Sequence, residues 1–255
     1  MRNLEVHFNM KNINIFSEFS KKGFVKIKLD KKYINTYKDL KNLIKKKFPK
    51  SFKDNSFENF HYNVNFEEIN NIRMKIIKTI NTKKDLKKNI YLSGKSFLDN
   101  VLGTDIVVQK NINLAIQMPH DTSRPLFHKD TPLSSKYEIV FWIPLVDCKE
   151  TMCMTMIDKK YHDEADNLLN NVHKNSENIL EKFSKKKGTY IPLKFGEAII
   201  FSTDNFHFIP INKTKKTRWS LNLRFKNLFT PYGERNLLDY FEVLKTSPIT
   251  NLLNN

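Results

Sequence analysis

Cysteine and glycine are the scarce residues of this 255-residue chain, which has two of the first and six of the second. Cys148 and Cys153 cannot form a disulfide framework, so stability must come from a packed core and a reducing, cytoplasmic setting is expected. The few glycines leave no phosphate-cradling loop, and neither a Walker pattern nor a dinucleotide fingerprint is present. A Gly-x-Ser-x-Gly elbow is also missing, which removes the Ser-His-Asp hydrolases. No apolar run approaches the roughly 18 residues of a membrane span. The chain is polar from Arg2 onward and shows no signal-peptide core. Acidic residues are in deficit too: 27 Asp and Glu against 44 Lys and Arg, a formal net charge of +17.

That basic excess does not by itself name a partner. It sits in short runs such as Lys45-Lys46-Lys47, Lys83-Lys84 and Lys185-Lys186-Lys187, set among Asn and Ile. Such a spread reads first as solvated surface, next as steering of an anionic or carrier-linked small molecule, and last as a nucleic-acid footprint. A chain of this length can bury roughly 70% of its unfolded surface without staples.

Periodicity predicts helices over 37–48, stopped by Pro49, over 66–80, over 163–183 with Val172 in register, and near 237–244. Period-two or short apolar runs predict strands over 23–29, 104–109, 112–118, 137–145, 153–157, 189–201 and 219–225. Residues 5–16 carry no decisive period, 51–63 reads as a loop, and 83–97 is mixed. Many short strands separated by turns point to a sandwich or jelly roll.

The chemistry concentrates in 111–147. An apolar strand enters through Gln117-Met118-Pro119, His128-Lys129-Asp130 lies in the bend, and Glu138 to Leu145 leaves as a second apolar strand. In extended chain, residues two apart point to one face, so His128 and Asp130 can aim an imidazole and a carboxylate at one point. A bare His-x-Asp is weak, and two further features strengthen it. His207 lies in a strand-like piece after the Gly196 turn. Eleven residues on comes Arg218, in Arg218-Trp219-Ser220-Leu221-Asn222-Leu223-Arg224-Phe225. Arg218, Ser220 and Asn222 share one face of that strand. A buried arginine there needs an anion, and a planar guanidinium matches a carboxylate through two hydrogen bonds.

The set His128-x-Asp130, His207 and Arg218 resembles the Fe(II)/2-oxoglutarate-dependent dioxygenases, in particular the phytanoyl-CoA-dioxygenase-like branch. The wording around Gln117-Met118-Pro119, Phe127 to Thr131, Glu138 to Leu145 and Arg218 to Phe225 is similar to oxygenases of bacterial carbohydrate and aminosugar biosynthesis clusters, the StrG type. The resemblance spans roughly 103–232. It implies a mainly β fold with flanking helices, a cupin-like double-stranded β-helix. It implies Fe(II) on His128, Asp130 and His207, with 2-oxoglutarate and O2 as cosubstrates. It also implies that Arg218 holds the distal carboxylate of 2-oxoglutarate with Ser220 nearby. Gln117, on its own strand, either points into the pocket beside the metal or pairs its neighbours at a strand edge. The expected reaction is hydroxylation of a small metabolite such as a sugar, sugar-nucleotide or aminosugar, with release of succinate and CO2. A nucleic-acid-modifying oxygenase of the same fold and a non-enzymatic metal-binding module are the alternatives. The long Lys/Asn-rich segment before Gly196 departs from the family pattern and leaves the substrate open. On this reading 1–255 is one catalytic domain. It has an N-terminal buttress over 1–102, a β core over 103–232 with a helical insertion at about 163–187, and a C-terminal helix and tail over 233–255.

Other side chains compete for these roles. His162-x-Glu164 offers a second His-x-carboxylate pair but sits where a helix should start, and His120 has only Thr122 as a companion. His7, His61 and His173 lie in uninformative surroundings. Arg224 shares a strand face with Arg218 and is the rival anion anchor, or else an ion-pair partner or substrate contact. Lys129 should face away from its neighbours by alternation. Trp142 and Trp219 read as core, and both cysteines as inert packers.

Overall fold

The computed structural model describes residues 10–48, 52, 56–123, 125–131, 133–171 and 177–252. Helix α1 (Met10–Lys22) leads into strand β1 (Phe24–Lys28), followed by helices α2 (Ile34–Lys45), α3 (Ile69–Asn81), α4 (Leu86–Ser93) and α5 (Lys95–Leu102). Strands β2 (Ile106–Gln109), β3 (Asn113–Gln117), β4 (Glu138–Pro144) and β5 (Met154–Ile157) come next, then helices α6 (His162–Asn171) and α7 (Glu177–Lys187). The chain continues through β6 (Gly188–Ile191), β7 (Glu197–Ser202), β8 (His207–Phe208), β9 (Arg218–Asn227) and β10 (Phe241–Lys245) to helix α8 (Pro248–Leu252). No described helix is long and apolar enough to cross a membrane.

The strands form two antiparallel sheets among the described residues. The larger has seven strands in the order β1-β7-β4-β9-β2-β10, with β3 also on β9; the smaller is β6-β5-β8. Strand β9 is the spine. One edge pairs with β4 along its length, from Pro144↔Ser220 to Glu138↔Lys226. The other edge pairs first with β3 and then with β2. Alternation divides β9 cleanly. Trp219, Leu221, Leu223 and Phe225 face the N-terminal helices, and Arg218, Ser220, Asn222 and Arg224 face the smaller sheet.

The outer face of the large sheet is packed by helices whose apolar residues recur at helical spacing. Tyr37, Leu40 and Ile44 of α2 and Ile72, Ile76 and Ile80 of α3 are buried in one core with the sheet. A capping box between Asn65 and Glu68 fixes the start of the α3 segment. On the inner side, Met154, Met156, Ile191, Leu193 and Ile209 of the smaller sheet region join the same core. The far face of the smaller sheet is closed by α6 and α7, where Phe127, Ile157, Ala165, Leu180, Phe206 and Phe208 form a second cluster.

Most expected elements stand within a few residues of their predicted bounds. The helix expected near 237–244 is instead an edge strand, β10, and the helix of the C-terminal part lies at Pro248–Leu252. Leu237, Phe241 and Leu244 have helical spacing, but Leu238 adopts a φ of 72°, which ends any helix there. Helix α1 begins at Met10 inside the undecided stretch 5–16, whose residues 5–9 lie outside the described residues, and runs on to Lys22, and the mixed stretch 83–97 holds α4 and the start of α5. Within the insertion at 163–187 the described residues form α6 and α7, and residues 172–176 of the helix expected over 163–183 lie outside the described residues. Pro49, Val172, His173 and His7 lie outside the described residues.

Gly94, between α4 and α5, shows how closely the helices sit on the sheet. A Cβ there would lie 2.9 Å from both Cε1 and Cζ of Phe141, a ring on β4 with no exposed surface. Gly94→Ala should therefore cost about 1–3 kcal/mol in urea unfolding, as overpacking does. The cost should shrink in a Phe141→Leu background; full additivity of the two changes would show that the contact is not the cause.

Candidate metal centre

His128 and His207 are joined first by backbone. They form an isolated antiparallel bridge in which His128 N–H donates to the His207 carbonyl at 3.1 Å and His207 N–H donates to the His128 carbonyl at 3.0 Å. Bridged residues project to the same side, and the imidazole centroids are 4.3 Å apart. Each ring spends Nδ1 on a carbonyl: His128 on Leu126 at 2.5 Å and His207 on Asn205 at 3.0 Å. A carbonyl only accepts, so Nδ1 carries a proton in both rings and Nε2 is the nitrogen of each that a metal could take.

Asp130 is placed by its own N–H, which donates to the Thr203 carbonyl at 2.9 Å. Its Oδ1 lies 3.8 Å from His128 Nε2, while Oδ2 accepts from Arg224 Nη2 at 2.8 Å. One ligand atom from each of His128, Asp130 and His207 lies within 4.8 Å of the others, a grouping of His, Cys, Asp or Glu with no second instance among the described residues. Two imidazoles and one carboxylate on one face are a donor set suited to a divalent metal with open positions.

The charges are already arranged for that purpose. Burial pushes the Asp130 carboxyl up, but Arg224, with His207 and His128 beside it, holds the group below its ordinary range. Burial, with His128 beside it, pushes His207 down to about 4, so the ring is neutral at physiological pH. Arg224 is engaged at both terminal nitrogens, and only its Nε has no hydrogen-bond partner. Nη1 donates to the Tyr240 hydroxyl at 2.9 Å, its N–H donates to Gln109 Oε1 at 3.3 Å, and Nε lies 4.0 Å from Glu138 Oε2. Arg224 is thus an ion-pair partner that turns Asp130.

Arg218 is the opposite case. It is 2% exposed, and its Nε and Nη1 have no hydrogen-bond partner in the protein. Its guanidinium carbon lies 5.8 Å from the Trp142 ring centroid. Desolvation lowers its pKa, with Cys148, Cys153 and Asp121 acting the other way. Ser220 Oγ and Asn222 Oδ1 on the same strand face are buried and unpartnered as well. Gln117, directly opposite Arg218 across the β3–β9 pair, donates Nε2 to the Pro210 carbonyl at 3.0 Å and leaves Oε1 without a partner. It both ties its neighbours and presents a free acceptor.

The competing side chains are engaged elsewhere. Lys129 turns away from the cluster to Asp166 at 2.9 Å and lies over the Phe206 ring. His162 packs edge-on against Phe206 with Nε2 3.3 Å from the Ile157 carbonyl, and Glu164 faces Lys187. His120 is exposed, and both cysteines are buried thiols. Sequence reasoning missed Gln109, Glu138 and Tyr240 around Arg224. Glu138, fully buried at the head of an apolar strand, was the one visible signal; Tyr240 approaches only because β10 is a strand.

No protein-family model matches the chain, and no curated protein matches it in sequence. Solved structures match in fold. One is HygX from Streptomyces hygroscopicus with nickel and 2-oxoglutarate bound, at a TM-score of 0.55 and 10% identity over 89% of this chain and 90% of that one. Another is SnoK, a non-heme alpha-ketoglutarate-dependent carbocyclase from nogalamycin biosynthesis, at 0.55 and 12% over 87% and 86%. A third is the non-heme monooxygenase ThoJ in complex with nickel, at 0.53 and 13% over 91% and 83%. The chain therefore has the fold of these non-heme enzymes.

Two outcomes follow from the cluster. Titration with Ni(II) should show one tight site, weakened about 10–100-fold in Arg224→Ala because Asp130 loses its orienting partner; unchanged affinity would remove that role. Separately, unfolded His207 protonates near 6.5 and the folded ring near 4. As pH falls through that window the unfolded state binds the proton first, so the metal-free protein should lose stability from about pH 6.5 to 4. A His207→Gln variant should show a shallower loss in urea midpoints, and an identical slope would contradict the assignment.

Proposed function

We propose that the protein is an Fe(II)- and 2-oxoglutarate-dependent oxygenase acting on a small metabolite. The observation that carries this reading is the pairing of a 2-His-1-carboxylate cluster with a buried, unpartnered guanidinium on the same strand face. A buried lone cation is costly, and it becomes favourable when a carboxylate ligand arrives. His128 Nε2, Asp130 Oδ1 and His207 Nε2 would hold the iron and leave other positions open. Arg218 would take the distal carboxylate of 2-oxoglutarate, with Ser220 Oγ and the free Oε1 of Gln117 lining the same pocket. Bound together, iron, 2-oxoglutarate and O2 supply oxidative decarboxylation to succinate and CO2, coupled to oxidation of a substrate C–H bond.

This chain's residues do the positioning. The Nδ1–carbonyl bonds stop both imidazoles from rotating. Arg224 keeps Asp130 ionised with one oxygen free, and Ile199, Phe201, Met154 and Met156 contribute to a dry wall between the sheets. Phe201 lies against His207 at 4.9 Å between ring centroids. Such a shell keeps water away from a reactive centre.

The two facing sheets, with the His128–His207 bridge extending the smaller one, support a double-stranded β-helix of the phytanoyl-CoA-dioxygenase-like kind. We read residues 1–255 as one catalytic unit in which 1–102 is the buttress. A sugar, sugar-nucleotide or aminosugar is the proposed substrate class, and the strongly basic surface suits an anionic one. Two free, buried cysteines fit a reducing cytoplasm.

The test is succinate release from 2-oxoglutarate with Fe(II) and O2 across a panel of sugar nucleotides and aminosugars. His128→Ala should abolish turnover. Arg218→Ala should raise the 2-oxoglutarate KM by at least about tenfold, the loss expected for a charge-assisted pair. Full activity in both variants would refute the assignment.

A further inference from the structure

We infer that His61, in the N-terminal part of the chain, is a positioning residue for Arg218 and so for the binding of 2-oxoglutarate. The inference rests on the function proposed above. It starts from a weakness in the sheet. Pairing between β4 and β9 ends at Pro144↔Ser220, with a last bond from Leu145 N–H to the Trp219 carbonyl at 2.9 Å. Arg218 lies beyond that end. Within the sheet it has a strand neighbour on one side alone, at Gln117. The preceding residues 209–217 form no helix or strand. A buried guanidinium aimed at an anion thus sits on the first residue of a strand, where backbone frays most readily.

Segment 57–61 grips both residues that flank Arg218, from the opposite face of the strand. Thr217 N–H donates to the Glu58 carbonyl at 2.7 Å. Thr217 Oγ1, in a residue with no exposed surface, hydrogen-bonds His61 Nδ1 at 2.9 Å. Trp219 Nε1 donates to the Phe57 carbonyl at 2.8 Å, and the indole is boxed by Phe48, Phe57 and Phe60 at 4.8 to 5.7 Å between ring centroids. Residues 217 and 219 point outward, so holding both fixes the direction in which 218 points inward. The aromatic box supplies the bulk of the packing. His61 supplies the one side-chain bond to the Thr217 hydroxyl, which makes it the separable element of the grip. Geometry of a binding group is sensitive to such support, since displacement by about 1 Å forfeits much of a bidentate interaction.

Calorimetric titration of 2-oxoglutarate into Ni(II)-loaded protein tests this directly, with wild type, His61→Ala, His61→Asn and Arg218→Ala compared. His61→Ala should weaken 2-oxoglutarate binding about tenfold, as loss of one well-placed hydrogen bond does. Its Ni(II) affinity should stay within about twofold of wild type, because Arg224, Asp130 and the two histidines are untouched. His61→Asn, which keeps a hydrogen-bonding atom near the Nδ1 position, should recover most of the loss. In turnover the His61→Ala effect should fall on the 2-oxoglutarate KM rather than on kcat. Wild-type 2-oxoglutarate affinity in His61→Ala would overturn the inference. So would a joint loss of nickel and 2-oxoglutarate binding that His61→Asn fails to relieve, which is the mark of general loosening. Binding that is lost in Arg218→Ala yet intact in His61→Ala would leave the proposed function standing and remove His61 from it. Failure of wild type to bind 2-oxoglutarate would remove both.

Discussion

Three cations are buried along the inner face of one strand, and the rest of the site depends on how their charge is met. Lys226 hydrogen-bonds the Thr230 carbonyl at 2.7 Å and the Pro231 carbonyl at 3.2 Å and faces Glu138 across the β4–β9 pair. Burial still pushes its pKa down to about 8. Arg224 is met by Asp130 and Tyr240. Arg218 is met by no ion pair among the described residues, and Asp121 acts on it only through space. A buried charge left in that state costs several kcal/mol of stability unless something pairs it. Under the proposed function a carboxylate of the bound ligand would meet the charge of Arg218.

The metal cluster obeys the same logic with the sign reversed. Its carboxylate is partly buried and would be costly alone, but Arg224 already supplies a countercharge on one oxygen. The other oxygen converges with one nitrogen of each imidazole, the three atoms lying within 4.8 Å of one another. Rigidity comes from backbone rather than from long side chains. The His128–His207 bridge, the Asp130–Thr203 bond and the Thr203 hydroxyl, which donates to the Ser135 carbonyl at 2.8 Å, lock the ligand-bearing bend to the β7–β8 turn. The centre therefore sits on fixed elements, with the large sheet behind it and helices packed on that sheet's outer face.

Much of this was legible before any coordinates. Alternation alone put His128 beside Asp130, and put Arg218, Ser220, Asn222 and Arg224 on one face. What alternation cannot say is which of two equivalent arginines will find an acid. That depends on Asp130, 94 residues earlier, reaching β9 through the sheet order, a long-range fact with no local trace. The C-terminal misassignment has a similar origin. Leu237, Phe241 and Leu244 satisfy a helical period, yet pairing with β2 decides their conformation, as tertiary context does when propensity is weak. The N-terminal buttress was legible as helices at α2 and α3. Its grip on Thr217 and Trp219 was not, because carbonyl acceptors such as those of Phe57 and Glu58 leave no mark on a sequence.

The central claim is that three ligand atoms and one free guanidinium mark the two ends of a single occupied site. Diffraction from crystals grown with Co(II) and 2-oxoglutarate, with anomalous data at the cobalt edge, measures both ends at once. The account predicts one anomalous peak between His128 Nε2, Asp130 Oδ1 and His207 Nε2, with a carboxylate of the ligand on Arg218. Cobalt bound at another group, or Arg218 turned onto a protein carboxylate with no ligand beside it, would contradict the account.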